Sequence, residues 1–431
     1  MDGVLNIGSL ETPLVIVTFN YRENVFGFAA SSHLRSRDPA GGTGNYGLLD
    51  QRFAMQWVQK NIGRFGGDPT RVFLVGQSAG ADSVAQHLVR QNSWGGLFHA
   101  AGLESGAFYQ LQPPTSHDSS CGPTPGNVTV AQQEGRWAAM MARLGCSTPD
   151  NITCALNVPA KTLMELGSYT RHGLDCGWMP AIDGVDLAAP LALLAASGQM
   201  AKVPIVAGGL MEDATIVFPS AGCAATPATC SEADFKQWAA DGFGLNTSQA
   251  AQLAGVYADE QVRTNLADPA TGKMINGSAW YWAQAHAGAD AQTNCPARRA
   301  VSWAAAGGQP SYWYYWEYPP KMQPSGVSSE AVHCGELALL WANGCTPEDT
   351  AGKPWRSAEC AFGLKFAAYW ASFAAHGNPS DGAVQWPAYV PNGSGSGASA
   401  MIMNNDMSFS VSKNHRASRC DFWDAQFPRL W

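Results

Sequence analysis

The sequence predicts an α/β fold with a mostly parallel central sheet flanked by helices, because strand patterns alternate with helical patterns along the chain. Two short apolar runs, at 14–19 and 72–75, are continuous rather than alternating. Continuous runs are typical of strands that are buried on both faces of a parallel sheet. Further strands are predicted at 203–207 and, rich in aromatic residues, at 312–318.

Helical patterns separate these strands. Apolar residues recur at helical spacing over 48–61, 79–89 and 360–375. Such spacing places them on one face of a helix, where they can be buried. A further helix is predicted to begin after Thr129, because Gln132 completes a capping box there.

The composition indicates a compact, acidic, globular protein. The 431-residue chain is 46% hydrophobic and only 14% charged, which excludes a disordered chain, a coiled coil and a simple helical bundle. The net charge of -8 argues against nucleic acid as a partner, because phosphate binding needs a basic surface. Apolar runs stay below the ~18 residues of a membrane span, so no transmembrane segment is predicted.

Cysteines and glycosylation motifs favour the secretory pathway. None of the 11 Cys has the paired spacing of a zinc site, so no metal is expected. Short intervals favour disulfides instead, between Cys146 and Cys154, Cys223 and Cys230, and Cys345 and Cys360. Five Asn-x-Ser/Thr motifs accompany them, at Asn127, Asn151, Asn246, Asn276 and Asn392. This combination predicts secretion, although the first residues show no signal-peptide pattern.

The pentapeptide Gly76-Gln77-Ser78-Ala79-Gly80 carries the clearest chemical signal. It lies directly after a predicted strand and directly before a predicted helix. A sharp turn at that position exposes the serine Oγ at the positive end of the helix. Ser78 is therefore a candidate nucleophile, and the Ala79 N–H is a candidate donor to an oxyanion. The alternative is a plain glycine-rich turn with a locally satisfied serine hydroxyl.

A nucleophilic serine needs a base and an orienting carboxylate. Among the nine His, His87 is expected on a helix surface and His376 at a helix C-terminus, where its charge is favourable without catalysis. His333 lies in an irregular segment before an apolar helix start, which favours it as the base. The carboxylate is expected in the loop after the third predicted strand, where Glu212 and Asp213 are both available.

Further motifs extend this pattern along the chain. They are Asn20-Tyr21-Arg22, Phe26-Gly27-Phe28, Gly44 to Gln51, Phe65 to Pro69, Pro180 to Gly184 and Gly377-Asn378-Pro379. With these motifs the sequence resembles the type-B carboxylesterase and cholinesterase family of α/β-hydrolases, from about residue 13 to the end. The resemblance implies a single α/β-hydrolase domain over 1–431.

The resemblance implies ester hydrolysis through an acyl-enzyme. It assigns Ser78 as the nucleophile and His333, in His333-Cys334-Gly335-Glu336, as the general base. Asp213 precedes a small residue and an apolar run, as the family's acid does, and Glu212 is the runner-up. No cofactor and no metal are implied, and the expected partner is a small-molecule ester or a lipid-like substrate.

The resemblance also concerns disulfides and the substrate pocket. It implies the pairs Cys146 with Cys154 and Cys295 with Cys420, and it leaves any pair of Cys121 with Cys176 open. Gln77 stands where the family most often has Glu, so a cationic substrate is less expected. Glu336 and Trp341, close to His333 in sequence, are weaker candidates for the pocket.

One feature of the family is absent. Its Gly-rich loop, which supplies further oxyanion donors, has no counterpart before residue 13. In the family, another strand lies between those that correspond to 14–19 and 72–75. We therefore expect that the chain lacks an N-terminal part with the first strands, the Gly-rich loop and any signal peptide. A non-catalytic binding or adhesion module, an inert esterase fragment and a lipase for long acyl chains remain open as alternatives.

Overall fold

A computed structural model describes most of the chain. The described residues are 13–108, 128–146, 148–167, 178–213, 223, 227–260, 277–321, 330–341, 345, 350–380, 384–391 and 398–426.

The strands form one large sheet and one small parallel pair. They are β1 Phe73–Gln77, β2 Ala100–Glu104, β3 Val128–Thr129, β4 Ala181–Ile182, β5 Ile205–Leu210, β6 Ser311–Trp316, β7 Ser399–Met403 and β8 Phe409–Lys413. The large sheet has the order β1-β2-β5-β6-β7-β8 and is parallel except for β7 with β8. The small pair is β3 with β4. In the large sheet, the carboxyl ends of β1, β2, β5 and β6 therefore lie along one edge.

Helices connect and cover these strands. They are α1 Asn24–Phe28, α2 Ser32–Arg35, α3 Tyr46–Asn61, α4 Ala79–Val89, α5 Val130–Arg143, α6 Ile152–Leu156, α7 Ala160–Gly167, α8 Leu191–Ala196, α9 Glu232–Phe243, α10 Thr247–Tyr257, α11 Ala279–Ala289, α12 Cys295–Ala306, α13 Leu337–Leu340, α14 Pro354–His376 and α15 Ala417–Gln426. A π-helical turn, Asp290–Asn294, joins α11 to α12. Among the described residues, no helix has both the length and the apolar character needed to cross a membrane.

Strands β2, β5, β6 and β7 are buried between two layers of helices, whereas β1 and β8 are partly exposed. On one face α4, α8 and α12 pack against Trp313 and Tyr315 of β6. On the other face α14 packs against Tyr312, Tyr314 and Trp316 of the same strand. Burial on both faces explains why the strand patterns are apolar throughout rather than alternating.

The strand prediction at 14–19 is wrong. Residues 13–20 form no β-ladder, and Val15, Val17 and Phe19 are exposed. A strand needs a neighbour that pairs with its backbone groups, and no described residue pairs with the free edge of β1. The described sheet runs continuously from β1 to β8. The other three predicted strands are confirmed as β1, β5 and β6.

The predicted helices are confirmed, but one histidine is placed differently. Thr129 and Gln132 form the expected capping box of α5. His87 is buried, contrary to the expectation of a surface position. Its ring nitrogens lie 2.8 Å from Ser93 Oγ and 2.9 Å from Gln51 Oε1. Since these neutral partners satisfy the imidazole, it is buried uncharged, and burial lowers the pKa of His87 to about 3.

Disulfides close three short loops and join one pair of distant segments. Those between described cysteines are Cys146–Cys154, Cys223–Cys230, Cys295–Cys420 and Cys345–Cys360. The bond of Cys295 to Cys420 joins α12 to α15 across 125 residues. Cys334 is a free thiol, and Cys121 and Cys176 lie outside the described residues.

The turn between β1 and α4 is tightly packed. Ser78 has a φ of 57°, in a region that L-residues rarely adopt. A Cβ on Gly76 would lie 2.3 Å from the Gly80 backbone, and one on Gly106 would lie 2.8 Å from the Ser78 carbonyl oxygen. Strand and helix therefore approach as closely as glycine alone permits.

Strand β2 ends in a buried carboxyl group. Glu104 is 3% exposed, and the indole N–H of Trp370 in α14 donates a hydrogen bond to its Oε1. Burial raises the pKa of Glu104 to about 8. This group therefore keeps its proton in the folded protein at neutral pH.

Gly76→Ala is expected to lower the free energy of unfolding by about 1–3 kcal/mol, because the added Cβ overlaps the Gly80 backbone. Gly80→Ala is the matched control, since no atom lies within 4 Å of its added Cβ and alanine favours a helix over glycine. Urea unfolding measures both variants. Equal stabilities of the two would contradict the close approach of β1 and α4.

Glu104→Gln is expected to weaken the pH dependence of stability. Folded Glu104 holds its proton up to about pH 8, whereas the unfolded chain releases it near 4.5. Its contribution to stability is thus present at about pH 4.5 and is lost as the pH rises towards 8. The amide still accepts from Trp370 but does not titrate. The fall in Tm between about pH 5 and 8 should be smaller in the variant. An unchanged fall would contradict the raised pKa of Glu104.

Candidate active site

Three polar side chains from separate segments meet at the carboxyl edge of the sheet. His333 Nε2 lies 2.7 Å from Ser78 Oγ, and His333 Nδ1 lies 2.6 Å from Asp213 Oδ1. Ser78 follows β1, Asp213 follows β5 and His333 follows β6 along the chain. The parallel sheet thus brings together the serine and the histidine, which are 255 residues apart.

Backbone contacts hold Asp213 in place. The Leu210 N–H donates to Asp213 Oδ2 at 3.0 Å, which leaves Oδ1 for His333. A Cβ on Gly209 would lie 2.8 Å from Asp213 Oδ2, so glycine makes room for the carboxylate. Asn294 Nδ2 donates to the Leu210 carbonyl at 3.0 Å and fixes the end of β5. The carboxylate is therefore oriented before any ligand binds.

The surroundings favour a proton on His333. Burial lowers the pKa of His333, but Asp213, with a smaller contribution from Asp82, raises it by more, so the net shift is upward. The side chain of His333 is 15% exposed, whereas that of Asp213 is fully buried. An imidazole that is stabilised on gaining a proton can take one from the Ser78 hydroxyl.

Glu212, the other acid considered from the sequence, has different partners. Its Oε2 accepts from the Ala331 N–H at 2.9 Å, and its Oε1 lies 3.1 Å from His286 Nε2. Both carboxylate oxygens are thus engaged, and Asp213 is the acid that meets the His333 ring. The two successive acids of the loop therefore contact different histidines, Glu212 contacting His286 and Asp213 contacting His333.

Gln77 places a neutral amide beside the histidine. Its Nε2 lies 3.4 Å from His333 Nε2, and Cys334 Sγ donates to its Oε1 at 3.2 Å. Burial raises the pKa of Cys334 to about 11, so the thiol keeps the proton that it donates. This contact orients the amide with its NH₂ group towards His333.

The two weaker pocket candidates differ in exposure. Glu336 is fully buried, and burial raises its pKa well above the usual value. Trp341 follows α13 and packs, partly buried, against the aromatic cluster on α14. Glu336 is therefore an interior group, and it is Trp341 that retains some exposure.

Helix α4 contributes two further groups near Ser78. Ala79 is its exposed first residue, and N–H groups in a first turn have no acceptor within the helix. Asp82 lies in the same turn, and burial raises its pKa to about 7. Asp82 also interacts electrostatically with His333. No sequence pattern singles out Asp82, because an acid in a first turn is common at any helix N-terminus.

Two of the predicted glycosylation positions lie in the described residues. Asn151 caps α6 by accepting from the Cys154 N–H, and Asn246 caps α10 by accepting from the Gln249 N–H. Asn246 is exposed and Asn151 is half-buried. Capping uses the side-chain oxygen, whereas a glycan attaches to the nitrogen, so the two roles are compatible. The remaining positions, Asn127, Asn276 and Asn392, lie outside the described residues.

The site holds a serine hydroxyl, an imidazole and a carboxyl group in hydrogen-bonding contact. This arrangement can transfer a proton from Ser78 to His333 while Asp213 stabilises the resulting imidazolium. Within the described part of the chain, no group of His, Cys, Asp and Glu side chains is placed to hold a metal ion.

Comparisons with known proteins relate the chain to esterases and lipases. The model of the carboxylesterase family matches residues 9–423. "Secreted lipase 1" of Botryotinia fuckeliana is 33% identical over 215 residues, which is 47% of this chain and 34% of the relative. "Lipase 2" of Diutina rugosa is 33% identical over 215 residues, 47% of this chain and 36% of the relative. The match thus spans about a third of the length of these relatives.

A solved structure supports the same fold. EstA of Aspergillus niger superposes with a TM-score of 0.70 and 23% identity, over 96% of this chain and 74% of that chain. At this identity the likeness shows the fold, an α/β-hydrolase, and the family match extends over nearly the whole sequence. The chain therefore belongs to the carboxylesterase family.

Proposed function

We propose that this protein is a serine carboxylic-ester hydrolase whose catalytic triad is Ser78, His333 and Asp213. The observation that carries the proposal is the continuous chain of contacts from Ser78 Oγ through the His333 ring to Asp213 Oδ1. The order serine, acid, histidine along the sequence is that of α/β-hydrolases. Membership of the carboxylesterase family supports the same reaction.

The reaction proceeds in two halves. Ser78 Oγ attacks the ester carbonyl carbon while His333 Nε2 takes its proton, and Asp213 stabilises the imidazolium. The imidazolium then protonates the departing alkoxide, which leaves an acyl group on Ser78. In the second half His333 removes a proton from water, which attacks the acyl carbon. Return of that proton to Ser78 releases the carboxylic acid.

The N-terminus of α4 stabilises the developing oxyanion. Ser78 is the N-cap residue and Ala79 the first helical residue, so the Ala79 N–H donates to the oxyanion at the positive end of the helix dipole.

The substrate is a neutral ester. Gln77 presents an amide, not a carboxylate, next to His333, so no negative charge at this position attracts a cationic substrate. The names of the relatives, "Secreted lipase 1" and "Lipase 2", extend the range to lipid-like esters. Disulfides such as Cys295–Cys420 support a secreted protein.

A fluorophosphonate probe and a short activated ester such as p-nitrophenyl butyrate test the proposal. Ser78→Ala is expected to abolish both labelling and hydrolysis, because the probe and the ester react with the same Oγ. Ser83→Ala is the control serine, since Ser83 Oγ donates within α4 to the Ala79 carbonyl. That variant should label and hydrolyse as the unmodified protein does.

The outcomes separate the alternatives. Label at Ser78 with hydrolysis supports the esterase, and a comparison of short and long acyl chains then separates esterase from lipase. Absence of label on the folded protein would overturn the proposal and favour a non-catalytic binding module or an inert fragment.

Asp213→Asn is expected to lower kcat by about 10⁴-fold, because the amide neither fixes the tautomer of His333 nor stabilises its charge. The variant also removes the carboxylate that raises the pKa of His333. Since activity needs the neutral imidazole, the acid limb of kcat/KM should move to lower pH. Asp241→Asn, at an exposed helical position, should leave the limb in place. A shift to higher pH in Asp213→Asn would contradict this role.

A further inference from the structure

A buried ion cluster lies beside the triad. At its centre is His286 of α11, which is 0% exposed. Its Nε2 lies 3.1 Å from Glu212 Oε1, and its Nδ1 lies 3.0 Å from Glu260 Oε1. Both ring nitrogens thus lie within ion-pair distance of a carboxylate, so a protonated His286 places its charge between Glu212 and Glu260. Burial opposes this charge, but the two carboxylates outweigh burial and raise the pKa of His286.

At one end of the cluster, Glu212 holds the segment that precedes His333. Its Oε2 accepts from the Ala331 N–H at 2.9 Å, and its own N–H donates to the Ala331 carbonyl at 3.1 Å. Glu212 and Val332 also form a parallel β-bridge. The backbone is therefore fixed at the two residues immediately before His333.

At the other end, Glu260 is anchored by the C-terminal part of the chain. Arg416 lies 3.3 Å from both of its carboxylate oxygens, and Arg419 Nε lies 3.0 Å from Oε2. Asp290 binds Arg416 in turn, at 2.7 and 2.8 Å. Three cationic side chains thus face three carboxylates, and His286 is the link between Glu260 and Glu212.

We propose that His286 is a positioning residue for the base of the triad. By bridging Glu212 to Glu260, it holds Glu212 in the position that fixes Ala331 and Val332, and so keeps the His333 ring aligned with Ser78. The two neighbouring acids then have different roles: Asp213 orients the His333 ring, and Glu212 orients the backbone that carries this ring. The inference rests on the proposed function.

Kinetics of His286→Gln, Glu212→Gln and the double variant test this role. Each single change breaks the same contact, so if one variant fails to fold, the other still tests it. We expect kcat to fall by up to about 100-fold with little change in KM, since misplacing a reacting group costs rate rather than binding. The rate of fluorophosphonate labelling should fall in parallel. The double variant should be about as slow as either single one, because the two residues act as a unit.

Arg419→Gln is the matched control. It removes one cation from Glu260 but leaves the contacts of Glu260 with Arg416 and His286, so it should lower Tm while kcat stays unchanged. Proton NMR adds a measurement that would not change if His286 had only a structural role. The downfield signal of the proton between His333 Nδ1 and Asp213 should persist in Arg419→Gln and shift or broaden in His286→Gln.

The outcomes distinguish this inference from the proposed function. Unchanged kcat and an unchanged downfield signal in both His286→Gln and Glu212→Gln, with only a lower Tm, would overturn the positioning role. If the unmodified protein neither labels nor hydrolyses esters, the proposed function fails instead. The downfield signal then decides on the positioning of His333 independently of activity.

Discussion

The parallel pairing of β5 between β2 and β6 is the constraint on which the site depends. Because the three strands run in one direction, the chain leaves each of them at the same edge of the sheet. Asp213, which follows β5, therefore lies between Ser78, which follows β1, and His333, which follows β6. Two glycines make this possible: a Cβ on Gly208 would lie 2.3 Å from the Tyr314 ring, and Gly209 leaves room for the Asp213 carboxylate.

The acids near the site differ in their partners. Asp213 accepts from the Leu210 N–H and contacts the His333 imidazole. Glu104 accepts from the Trp370 indole N–H, and neither carboxylate oxygen of Glu336 accepts a hydrogen bond from another described residue. Burial raises the pKa of Glu104 to about 8, so it keeps its proton at neutral pH, and burial also raises the pKa of Glu336 well above its usual value. Asp213 is therefore the one of these three acids that contacts a histidine.

The sequence predicts features that local chemistry determines and misses those that depend on distant partners. The serine turn follows from Gly76 and Gly80, and the capping box of α5 from Thr129 and Gln132. The loop residues alone leave both Glu212 and Asp213 open, because the two acids differ only in the partners that they meet, and the preference for Asp213 comes from the family resemblance. The burial of His87 depends on Gln51, which belongs to a separate helix. The run at 14–19 has strand composition, but composition does not supply a pairing neighbour.

The strands of the large sheet lie in the same order in space as along the chain. This order bears on how the protein folds during synthesis. Each strand can dock on the one synthesised before it, so the sheet can grow from β1 towards β8 on the ribosome. His333 follows Ser78 by 255 residues. At common translation rates, His333 is therefore synthesised roughly 10–50 s after Ser78. Ser78 is therefore synthesised well before the histidine that it contacts, and the contact can form only after β6 has been made.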